Sequence, residues 1–112
     1  MKMTPEIQAY FDAKHGSVDA IDNYFAKDIR IEDAGENTVI EGFANCKNWL
    51  KEKSQQYKME TKIVGMQAED NGIIKVSVSV SGNFAQGDFP FDYYFTLTDG
   101  KIKNVKIIYT GK

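Results

Sequence analysis

The sequence is short of the residues that staple a chain or concentrate special chemistry. There is one cysteine in 112 residues, Cys46, so no internal disulfide can form, and the thiol reads as a small buried hydrophobe on a helix. Histidine also occurs once, as His15, and no His/Cys/Asp grouping has the spacing of a metal site. Arg30 is the only arginine, the net charge is −2, and the lysines are spread among acids. Nucleic acid is therefore excluded as the main partner, because it demands clustered positive charge and bidentate donors. The glycines are scattered, and none forms a phosphate cradle ahead of a helix. No cofactor is implied. No apolar run is long enough to span a bilayer. The start, Met1-Lys2-Met3-Thr4-Pro5-Glu6, runs into an amphipathic helix rather than a secretory leader. The expected location is cytoplasmic, with no membrane partner.

What is present suits one globular domain over residues 1–112, since 42% of the residues are hydrophobic and 27% charged. Thr4, Pro5 and Glu6 form a helix start: a capping hydroxyl, a proline at the first helical position and an acid at the positive end. Ile7, Tyr10 and Phe11 follow at helical spacing, and His15-Gly16 ends the element. Ser17 then predicts a cap for a second short helix, with Val18, Ile21, Tyr24 and Phe25 as its apolar stripe. Ile29 to Asp33 alternates as a strand, Ala34 to Asn37 turns, and Thr38 to Glu41 returns. Phe43 to about Tyr57 reads as a third helix, with Cys46, Trp49 and Leu50 turned to the core.

The rest is sheet. A strand is predicted from about Lys58 to Glu69, and Asp70-Asn71-Gly72 is a hairpin turn. Ile74, Val76, Val78 and Val80 alternate with Lys75, Ser77, Ser79 and Ser81. Gly82 to Gly87 reads as a loop. Phe89, Phe91, Tyr93, Phe95 and Leu97 alternate with Pro90, Asp92, Tyr94, Thr96 and Thr98. Asp99-Gly100 turns into a last strand ending near Tyr109. The fold class is α+β: three helices in the N-terminal half packed on a curved antiparallel sheet that encloses an apolar pocket.

That order of elements resembles the nuclear transport factor 2-like superfamily, and within it the SnoaL-like polyketide cyclase and ketosteroid isomerase branch. The carrying segment is Asp19 to Gly42, D-A-I-D-N-Y-F-A-K-D-I-R-I-E-D-A-G-E-N-T-V-I-E-G, with Ser81 to Phe84 and Phe95 to Ile102 matching the closing strands. The resemblance implies a cone-shaped fold, a homodimer through the sheet, and a pocket for a small apolar or carbonyl-containing ligand.

It also implies a site. Asp33 aligns without gaps with the proton-abstracting aspartate of ketosteroid isomerases. Alternation independently puts Asp33 on the face of Ile29 and Ile31, towards the pocket. The competing reading is an acid that ends a strand and binds turn amides. Tyr10 stands nearest the family's oxyanion-hole tyrosine, after a one-residue deletion at Lys14-His15; otherwise it is a core tyrosine. The second oxyanion-hole position falls on Asp92 in a gapless match and on Tyr93 by alternation. Alternation is preferred, because a one-residue slip would expose every aromatic on the strand. Trp49, Phe84 and Phe89 are the remaining candidates for ligand contact, the last two at the pocket mouth. Three uses remain open: a small-molecule binding protein, an enzyme moving a proton next to a carbonyl with Asp33 as base, and a protein-interaction module pairing through Ser77, Ser79, Ser81, Tyr94 and Thr96.

Overall fold

The computed structural model describes residues 2–56, 58–82 and 85–111. Helix α1 spans Pro5–Lys14. Thr4 precedes it in extended conformation, and its Oγ1 accepts a hydrogen bond from Ile7 N at 3.1 Å. This fills one of the donors a helix start leaves open, worth about 1 kcal/mol. His15 N closes the far end on Phe11 O, and Gly16 turns the chain at φ +117°.

The second predicted helix is not there. Val18–Ile21 forms one turn of 3-10 helix, and the Ser17 side chain makes no cap. Strand β1 already begins at Phe25 and runs Phe25–Asp33. Tyr24 and Phe25 fit a helical stripe by spacing, but pairing with a distant strand decides their state. Phe25 registers opposite Ile102, and Ile102 N donates to Tyr24 O at 2.6 Å. The described residues thus hold two α-helices, not three.

Strand β2 (Thr38–Glu41) returns antiparallel to β1, and helix α2 covers Phe43–Gln56. Four strands follow as an antiparallel meander: β3 (Met59–Ala68), β4 (Ile73–Gly82), β5 (Ala85–Thr98) and β6 (Lys101–Tyr109). The predicted loop from Gly82 to Gly87 is in part strand: β4 reaches Gly82, β5 starts at Ala85, and the two residues pair. The tight turns are as their sequences predict. Asn71 and Gly72, and Asp99 and Gly100, all take positive φ, between 53° and 75°, the twist that matches a two-residue hairpin.

The six strands form one sheet in the order β2-β1-β6-β5-β4-β3, with β1 and β6 parallel. Register breaks at Ile63/Gly65, Val80/Gly82 and Thr96/Leu97 add bend and twist. On one face lie Ile29, Ile31, Val76, Val78, Val80, Tyr93, Phe95, Val105 and Ile107, all buried. Helices α1 and α2 contribute Ile7, Tyr10, Phe11, Cys46 and Leu50 to the same core. Among the described residues, no helix is long and apolar enough to cross a membrane.

Candidate functional site

The site follows from sheet register. Asp33 on β1 stands beside Ile107 on β6, Ile107 beside Tyr93 on β5, and Tyr93 beside Val76 on β4. One cross-strand row therefore carries Asp33 and Tyr93 on the same face, two strands and about 10 Å apart across the sheet. Helix α1 lays Tyr10 over this row: the Tyr10 and Tyr93 rings meet edge to face at 5.8 Å. Between helices and sheet lies a cavity of about 420 Å³. Its wall is apolar for the most part, from Trp49, Leu50, Met59, Val80, Phe91 and Ile107. Its polar members are Tyr10, Lys14, Asp33, Glu36, Lys53 and Tyr93.

Asp33 joins both sequence readings. It ends its strand and receives Glu36 N on Oδ1 at 3.3 Å, and it also lines the cavity. Burial pushes its carboxyl above the usual carboxylate range, against the lowering effect of the Glu36 and Gly35 amides and of Lys53. The two phenols are held neutral. Burial first, then the negative charges or potential charges around them, raise Tyr10 and Tyr93 above the ordinary tyrosine value, Asp33 contributing to both.

Tyr10 is 1% exposed and Tyr93 4%, yet neither hydroxyl has a hydrogen-bond partner among the described residues. Among the described residues, no side-chain oxygen or nitrogen that is sealed from solvent lacks a partner. The small accessible surface left to each phenol therefore opens on the cavity that both line.

Asp92 lies on the other face of β5. It accepts from Ser77 Oγ at 2.8 Å and pairs with Lys75 at 3.7 Å, so it does not enter the cavity. Trp49 lines the cavity, with Lys53 Nζ 5.9 Å from its ring centroid. Phe89 is not among the described cavity-lining residues; its ring tilts against Tyr109 at 6.4 Å, and Phe91, one pleat further in, takes that place. Phe84 lies outside the described residues. His15 is exposed and bonds Met59 O through Nδ1 at 2.9 Å. Cys46 is buried between α2 and the β1–β2 hairpin, where burial lifts its thiol to about 11. Among the described residues, no three of His, Cys, Asp or Glu cluster as metal ligands would.

Lys14 is the residue sequence reasoning missed. It is 8% exposed, lines the cavity, and donates to Thr61 Oγ1 at 3.1 Å. A signal was available: position 14 continues the stripe of Ile7, Tyr10 and Phe11 at i+7, i+4 and i+3.

No family model matches the chain, and no curated protein matches it. Solved structures do. A Sinorhizobium meliloti protein described as a polyketide cyclase has a TM-score of 0.81 at 24% identity, covering 94% of each chain. A Catenulispora acidiphila protein with a ketosteroid isomerase-like fold, solved in complex with trimethylamine, has a TM-score of 0.82 at 13% identity, covering 96% of this chain and 87% of that one. An epoxide hydrolase of the LEH-like kind from M. tuberculosis has a TM-score of 0.77 at 19% identity, over 93% and 79%. At these identities the likeness is one of fold.

Proposed function

The chain has the nuclear transport factor 2-like fold, and from that fold and the cavity beneath its helices we propose that it binds a small, largely apolar molecule bearing an oxygen. The observation that carries this is the pair of buried phenols, Tyr10 and Tyr93, on the cavity wall with no hydrogen-bond partner for either hydroxyl among the described residues. A buried hydroxyl gives up its bonds to water, and a ligand carbonyl restores them. The similar structures named as a polyketide cyclase and an epoxide hydrolase support a small-molecule role.

A thermal-shift screen of steroid-like, polyketide-like and fatty ligands tests it. A ligand at 100 times its Kd adds about 2.7 kcal/mol to stability, easily read as a rise in Tm. No stabilisation by any class would sink the reading. Tyr10→Phe and Tyr93→Phe sharpen the test. Because the hydroxyls have no hydrogen-bond partner among the described residues, each variant should keep its unfolding free energy within about 0.5 kcal/mol. Each should nevertheless weaken an oxygen-bearing ligand by about 1 kcal/mol or more. A large loss of stability without loss of binding would make the tyrosines structural.

A second reading has its own observation, the raised carboxyl of Asp33 on the same wall. There the protein moves a proton next to a carbonyl. The Asp33 carboxylate takes the proton from the adjacent carbon, a phenol of Tyr10 or Tyr93 hydrogen-bonds the enolate oxygen, and Asp33 returns the proton. Asp33→Asn should abolish turnover, by about 100-fold or more, while the fold survives. The wild-type rate should fall as acid protonates Asp33, at a pH above the ordinary aspartate value. An unchanged rate in Asp33→Asn refutes the mechanism and leaves binding standing.

We further infer pairing of two copies through the outer sheet face, where Ser77, Ser79, Tyr94 and Thr96 are half-buried. Sedimentation as a monomer at high micromolar concentration would count against it.

A further inference from the structure

Lys14 belongs to neither reading of the cavity, and its surroundings ask for an anion. Its ammonium has three donors. One goes to Thr61 Oγ1 at 3.1 Å, and the charge lies 5.5 Å from the centroid of the Tyr93 ring. Among the described residues no carboxylate forms an ion pair with it; the pairs present involve Arg30, Lys47, Lys53, Lys75 and Lys103. Asp33 acts on it only through space. An ammonium this buried gives up hydration worth several kcal/mol unless a counter-charge reaches it. Burial pushes its pKa down to about 8, so it still carries its charge at neutral pH.

The geometry around it is two-sided. A second cavity, also about 420 Å³, shares Lys14 and Met59 with the first. The first is walled mainly by hydrocarbon. The second is lined by polar groups, with His15 and Lys58 beside Lys14, and Glu60 as its one acid among the described lining residues. Lys14 thus stands where an apolar space adjoins a polar, mainly basic one.

We propose that Lys14 is an anion-recognition residue, and that the ligand is an amphipathic carboxylic acid whose hydrocarbon body fills the apolar cavity while its carboxylate pairs with Lys14 at the junction. This rests on the cavity being a small-molecule site and names the class of molecule. The carboxylate supplies the counter-charge that the described residues lack there, and its oxygens accept from the remaining N–H donors of Lys14. The body sits against Trp49, Leu50 and Phe91.

Calorimetric titration with matched probes tests it: octanoate against 1-octanol, and 4-phenylbutyrate against 4-phenyl-1-butanol, all at pH 7. Within at least one pair, the wild-type protein should bind the acid about tenfold or more tighter than the alcohol. Lys14→Met should erase that preference, weakening the acid by about tenfold or more and the alcohol far less. Lys14→Gln, which keeps a donor but no charge, should lose the preference too; a circular dichroism melt confirms that each variant is folded. Binding in which neither acid outdoes its alcohol overturns the carboxylate assignment and leaves the cavity reading intact. So does a preference that survives Lys14→Met. Failure of all four probes to bind the wild type overturns this assignment, while the cavity reading stands or falls separately on the thermal-shift screen.

Discussion

Replacing Phe95 with alanine should cost about 3–5 kcal/mol. The ring is fully buried and stands in register between Ile74 and Val105. It meets Tyr10 edge to face at 5.2 Å and Phe11 at 5.9 Å, and stacks on Tyr93 at 5.9 Å. Truncation removes the transfer energy of the ring and leaves a void that three aromatics cannot fill without leaving their rotamers. A domain this size is stable by about 5–15 kcal/mol in all, so the variant should be barely folded. Urea unfolding followed by Trp49 fluorescence reads the loss. The same rings orient the two phenols towards the cavity. Phe95→Leu, a gentler change, should therefore weaken ligand binding before it threatens the fold. A loss below about 1 kcal/mol for the alanine variant would mean that the aromatic cluster is not the centre of the core.

Much of this arrangement can be read from local sequence because its causes are local. Valines alternating with serines along β4, and aromatics with polar residues along β5, fix which face is buried. That periodicity placed Tyr93 inside and Asp92 outside against the gapless family match, and the Ser77–Asp92 and Lys75–Asp92 contacts agree. Asn71-Gly72 and Asp99-Gly100 mark the hairpins because both need positive φ. Asp33 follows from the parity of Ile29 and Ile31.

The failures have causes that local sequence does not carry. Tyr24 and Phe25 satisfy a helical stripe, yet Phe25 is claimed by Ile102, 77 positions away, through the parallel β1–β6 pairing. No hairpin turn announces such a pairing. Four residues from Val18 to Ile21 make one 3-10 turn and cannot repay helix nucleation. Phe89 and Phe91 share a face, so alternation cannot say which of them reaches the cavity; distance along the strand decides. Lys14 lies on the apolar stripe of α1 and is buried, whereas a lysine by its type is mostly exposed.

That lysine should also govern how stability responds to pH. In the folded protein its pKa falls from 10.5 to about 8, a gap that corresponds to about 3 kcal/mol of preference for the neutral amine. Below pH 8 both folded and unfolded chains carry the proton, and the folded state bears the full penalty of the buried charge. Between about 8 and 10.5 the unfolded chain binds more protons than the folded one, so stability rises with pH. Cys46 acts in the opposite sense: its thiol rises from 9.0 to about 11 on folding, so its contribution is lost as pH climbs past 9. The raised phenols of Tyr10 and Tyr93 subtract more above 10. The wild-type unfolding free energy, and with it the urea midpoint, should therefore climb from pH 7 to a maximum near 9, by about 1 kcal/mol, and fall beyond it. Lys14→Met removes the charge and keeps the length of the side chain. It should be more stable at pH 7 by about 1–3 kcal/mol, with the lost Thr61 bond and helix-end charge offsetting part of the gain. Its midpoint should stay flat from pH 7 to 8.5. A flat wild-type profile over the same range would show that Lys14 is hydrated in the folded state. A rising wild-type profile beside a flat, more stable variant would mean that the fold tolerates an unpaired charge at a cost to itself, which is what a residue kept for its ligand would do.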